Sequence, residues 1–200
     1  MKRLFSYLLL PAVIILLLTG CHRNGFGTAA VNTAEFSDKG SIRVTSVEPF
    51  DISLYSEREL REMIDEEIAA AGSSNVSMES LSVKDNVATL VMDYASSDAF
   101  CRFNEGVRMF YGTCGDAVAA GLDLSPLYGQ PSAVKSSRIM TVNKLTELKD
   151  NRLIYVTVPQ DLILPGPVLF VTSNVKVEEN DRVSLSSTVS GTNPAILILQ

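Results

Sequence analysis

The chain has 200 residues, with 17 Lys and Arg against 23 Asp and Glu, a formal charge of −6. Nucleic-acid binding needs a basic face, so no nucleic-acid partner is expected. One His, three Cys and no Trp remove most histidine-based catalytic designs and most zinc sites before any motif is considered.

Lys2 and Arg3 open the chain with positive charge, and a mostly apolar run follows from Leu4 to Leu18. That run is too short to span a bilayer comfortably, which takes about 20 apolar residues. It ends in Leu18-Thr19-Gly20-Cys21. A positive start, an apolar stretch and small residues before a cut form the pattern of a secretory signal peptide, here residues 1–20. The last four residues also resemble the lipobox of bacterial lipoproteins, in which Leu, a small residue and Gly or Ala precede Cys. The resemblance implies cleavage before Cys21 and lipid on its thiol. The expected location is the extracytoplasmic face of a cell membrane, with the bilayer itself as one partner. Losing Lys2 and Arg3 with the leader takes the formal charge from −6 to −8.

Residues 21–40 are small, polar and without periodicity, which predicts a lipidated Cys followed by a flexible tether. Residues 41–200 predict a single α+β domain, with a split near 122–137 as the alternative. Ser41–Val47 is β-rich and stops before Pro49. Ser56, three residues before Glu59, signals a capping box. Leu60, Met63, Ile64, Ile68 and Ala71 recur at helical spacing, and Gly72 supplies the stop. Met78–Val83 and Val87–Tyr94 predict two strands joined by a three-residue turn, Lys84-Asp85-Asn86. A second helix is expected over Ser97 to Val107. Thr113 and Asp116 open a short third one that ends at Gly121.

Pro126, Gly129, Pro131 and several serines make 122–137 a loop, and Leu162–Pro167 is expected to be a connection. Leu153–Val158, Val168–Thr172, Val183–Ser187 and Ala195–Leu199 are the expected strands of a β-rich final third. The fold class is therefore α+β, with a mostly antiparallel sheet and two or three helices.

His22 adjoins the anchor and is placed to serve no catalytic centre. Cys101 and Cys114 admit two readings: a disulfide, worth about 3 kcal/mol for a loop of this length, or two partly buried free thiols packing as small hydrophobes. Asp65-Glu66-Glu67 lies on the polar side of a helix, and Glu178-Glu179-Asn180-Asp181 reads as a polar turn. Neither has the pattern of a calcium loop. Asp98 and Asp116 sit at helix starts, as caps or dipole partners. Arg102, Arg108, Lys135, Arg138, Lys144 and Lys149 are the candidates for a local basic patch. No Walker loop, GxSxG elbow or GxGxxG fingerprint occurs.

The helix at 56–71, then Leu81-Ser82-Val83-Lys84-Asp85-Asn86-Val87-Ala88-Thr89-Leu90, then a helix from Ser97, resembles the spore-germination type of lipoprotein domain. Asn86 stands where that family has Gly, a substitution Asn tolerates in turns. The resemblance implies no catalytic residue. The expectation is a non-enzymatic envelope module that binds a protein or cell-wall partner, with no cofactor and no metal. The alternative is a small-molecule-binding lipoprotein associated with a transporter or receptor. An enzyme using carboxylates or a Ser-Lys pair is the third reading.

Overall fold

A computed structural model describes residues 31–72, 74–133, 138–179 and 181–200. The expected leader, Cys21, His22 and Lys135 lie outside the described residues. The chain divides into two compact units. One takes the chain up to Ala34 together with Ser41–Gly106, the other Glu35–Gly40 with Val107–Gln200. The break thus falls at Gly106, which has φ +82°, and not at 122–137.

The expected tether ends earlier than residue 40. Thr33–Phe36 is a strand, β1, with Ala34 and Phe36 buried. Alternation of Ala34 and Phe36 with polar neighbours is too short a signal to separate from a polar linker.

In the first unit, β2 (Ile42–Pro49) pairs antiparallel with β4 (Val87–Tyr94), and β3 (Val76–Lys84) pairs with the other edge of β4. Strand β2 runs through Pro49, which faces Val87 at the end of the ladder, where a missing N–H costs least. The β3–β4 turn has two residues, not three. Lys84 faces Val87, and Asp85 and Asn86 both have positive φ, 52° and 59°. This is the left-handed pair of a type I′ turn, whose twist matches that of the strands. Asp and Asn are among the few non-glycine residues that adopt it readily.

Helix α1 (Glu57–Ala71) starts with the expected capping box and stops at Gly72, φ +83°. Leu60, Ile64 and Ile68 are its buried stripe, and α1 packs on β3. Helix α2 (Ser97–Phe103) is shorter than expected. The Asn104 side chain donates back to the Phe100 carbonyl at 2.9 Å, and the Asn104 amide bonds the same carbonyl. Both bonds close the helix there.

The second unit is built on β5 (Met109–Thr113), β6 (Arg152–Val156), β11 (Ala195–Leu199) and β8 (Val168–Val171), antiparallel in that order. A second antiparallel set joins β7 (Asp161–Ile163), β10 (Arg182–Leu185) and β9 (Val175–Glu179). Helix α3 (Cys114–Ala119) carries its own capping box, Thr113 with Asp116. Helix α4 (Val142–Glu147), capped by Thr141, is one helix beyond those expected.

The core of this unit gathers Cys114, Ala117, Leu124, Leu127, Met140, Leu145, Leu153, Tyr155, Phe170, Ile196 and Ile198. Leu124 and Leu127 explain why 122–133 is ordered: the Pro- and Ser-rich stretch is pinned by two apolar anchors. The fold is α+β with mostly antiparallel pairing and a β-rich C-terminal region.

Candidate functional site

The segment leaving β2 makes a self-contained turn. The Phe50 amide donates to the Asn86 carbonyl at 2.7 Å, holding the exit beside the hairpin turn. The Asp51 carboxylate accepts from the Ser53 amide at 2.9 Å and the Ser53 hydroxyl at 2.6 Å. These bonds hold the Asp51 carboxyl below its ordinary range, the hydroxyl bond first. The amides of Leu54 and Tyr55 both donate to the Asp51 carbonyl. With the backbone satisfied locally, the side chains of Ile52, Leu54 and Tyr55 project outward, 64%, 69% and 50% exposed.

Asn32 docks at the same end of this unit. Its side-chain oxygen accepts from the Val47 amide at 2.7 Å, and its Nδ2 donates to Glu48 Oε1 at 3.2 Å. Glu48 is buried on β2, and desolvation pushes its carboxyl up, partly offset by the Asn32 bond.

The second unit exposes a different apolar surface. The segments around Tyr128 and Ile139 are stitched together by Gly129 N to Met140 O at 3.0 Å and Met140 N to Gln130 O at 2.9 Å. Leu127 and Met140 point into the core and fix both segments. Their neighbours face outward: Tyr128, Ile139 and Val142 are 40%, 56% and 61% exposed. Elsewhere in this unit, an open depression of about 820 Å³ is lined by Leu164, Pro165, Gly166 and Pro167 with Glu179 and Asp181.

Cys101, in α2, and Cys114, at the start of α3, are thiols and form no disulfide. Cys114 is buried in the second unit's core, and burial pushes its thiol up to about 11. A thiol so placed is inert at neutral pH. Of the two readings open from the sequence, the structure carries that of packed thiols.

Asp65 and Glu66 are exposed on α1, as a polar face requires. Glu178 and Glu179 end β9, while Asp181 lies in the turn that leads to β10, so the expected polar turn is shorter than four residues. Glu178 pairs with Lys176 at 2.8 Å, which holds its carboxyl below the ordinary range. Asp116 and Asp98 occupy the first turns of α3 and α2. Among the described residues no group of three His, Cys, Asp or Glu is placed to hold a metal, and no helix is long and apolar enough to cross a membrane. Of the candidate cations, Lys144 is engaged by Glu147 at 2.7 Å.

Tyr94 is buried, in edge contact with Phe100 and Phe103 at 5.1 and 5.9 Å, with its hydroxyl accepting from Asn104. It is a packing residue. Ile52, Leu54, Ile139 and Val142 carry no signal in the sequence, because apolar residues in loops or at the start of a six-residue helix look the same whether covered or bare. No family model, curated protein or solved structure matches the chain.

Proposed function

We propose that this chain is a membrane-anchored extracytoplasmic lipoprotein, and that its folded part is a non-enzymatic module binding a protein or cell-wall partner of the envelope. The anchoring half rests on Leu18-Thr19-Gly20-Cys21 behind a positive, apolar leader. The observation that carries the binding half is the exposed trio Tyr128, Ile139 and Val142. These sit on segments anchored in the core by Leu127 and Met140 and bonded to each other through Gly129, Gln130 and Met140. A pre-ordered apolar surface with an aromatic member binds at a lower entropic cost than a mobile one.

The test is a photo-crosslinking amino acid placed at position 142 in the intact chain in its native membrane. A matched insertion at exposed Lys176 on β9 is the control. The proposal expects one defined adduct from position 142, absent at 176 and lost on Tyr128→Ser. The same pattern from both positions would refute it.

The depression at Leu164–Pro167 favours a second reading, a small-molecule-binding lipoprotein. A lining that combines Leu164, Pro165 and Pro167 with Glu179 and Asp181 suits a ligand with an apolar body and a cationic end. A thermal shift with organic amines, abolished by Asp181→Asn, would support it. An unchanged melting temperature across the series would remove it.

A further inference from the structure

The end of the first unit that receives the chain from Cys21 also carries the bare apolar loop. Asn32 is bonded to Val47 and Glu48, near the end of β2. From Val47 to Ile52 the chain spans at most about 17 Å, even if fully extended. Val31, the first described residue, is itself 54% exposed. From Cys21 to Asn32 the chain reaches at most about 40 Å, whatever its conformation. A lipid on Cys21 therefore keeps this end of the unit within about 40 Å of the bilayer.

We infer that Ile52, Leu54 and Tyr55 dock on the lipid surface, as a second contact beside the acyl anchor. This rests on the lipid anchoring of Cys21 proposed above. The residue types fit that occupant. Ile and Leu suit the boundary between headgroups and acyl chains, and Tyr combines an apolar ring with a polar tip there. The amides of Ser53, Leu54 and Tyr55 are all bonded to Asp51, so these three bring no unpaired donor to the lipid. The charges flanking the loop are mostly acidic: Asp51, Glu57 and Glu59. The surface therefore favours zwitterionic over anionic headgroups.

The chain contains no Trp, so a single introduced one is an unambiguous reporter. Leu54→Trp in the full chain, purified from membranes, is reconstituted into phosphatidylcholine vesicles with and without brominated acyl chains. Ala70→Trp, exposed near the far end of α1 about 20 Å along the helix, is the control. The inference expects blue-shifted emission and about twofold quenching at position 54, for a depth within the interface, and neither at position 70. Tyr55→Trp repeats the measurement one residue on, in case the first variant misfolds. The intact mass of the same preparation separates the two claims. An acylated chain with equal, unquenched emission at 54, 55 and 70 overturns the loop contact alone. A chain lacking the acyl mass overturns the anchoring and the loop contact together.

Discussion

The two units bury their strands in different ways. In the first, β3 shows one wet face: Val76 and Leu81 are buried while Ser77, Glu79, Ser80, Ser82 and Lys84 are exposed. In the second, all five residues of β11 are buried, with β6 and β8 on its two edges. A half-buried strand is written as an alternation, and one covered on both faces as an unbroken apolar run. Ala195-Ile-Leu-Ile-Leu199 is such a run. Strand β3 is thus wet on one face, and β11 is covered on both.

The largest effect should come from the second unit's central strand. Leu197→Ala empties a fully buried site and should lower stability by about 2–5 kcal/mol. Ser82→Ala on the wet face of β3 should stay within about 0.5 kcal/mol. Denaturant midpoints of the two variants compare the covered strand with the half-exposed one, and equal losses would break the distinction.

Alkaline titration probes both cores at once. Burial pushes Tyr94 up to about 12 and Cys114 up to about 11, from ordinary values of 10.0 and 9.0. Each folded group keeps its proton where the unfolded chain has lost it, so stability falls as pH rises. The loss should begin near pH 9 for Cys114 and near pH 10 for Tyr94, and be complete above pH 11 and 12. Tyr94→Phe and Cys114→Ala should each flatten their part of the curve, and Cys114 should resist thiol reagents at pH 8 until the chain unfolds.

Smaller effects belong to the caps. Ser56→Ala and Thr113→Ala each remove a side chain that accepts an orphan helix amide, a loss of about 1 kcal/mol. Thermal melts should rank Ser56→Ala as the more damaging, since α1 has 15 residues and α3 only six. Smallest of all, Asn86→Gly should stabilise by about 0.5 kcal/mol, because glycine adopts φ 59° without a Cβ clash. A destabilised glycine variant would contradict the type I′ assignment.

Many features set by near neighbours were legible in the sequence. The Ser56–Glu59 and Thr113–Asp116 boxes, the Gly72 stop and the Val87–Tyr94 and Ala195–Leu199 strands all appear where local chemistry put them. What depended on distant partners was not legible. Leu124 and Leu127 order their loop by packing with residues such as Phe170 and Ile196, and no local pattern announces that. Short elements such as β1, β7 and α4 carry too few residues to establish a period. The candidate surfaces were least legible, because exposure of Ile52 or Val142 reflects what fails to cover them.

Both the proposed location and the proposed loop contact depend on lipid at Cys21. The intact mass and N-terminal peptide of the protein from a membrane fraction test this most directly. The expected species begins at Cys21, lacks residues 1–20 and carries a diacylglyceryl group on that thiol. A chain that retains residues 1–20, or begins at Cys21 without lipid, would contradict it.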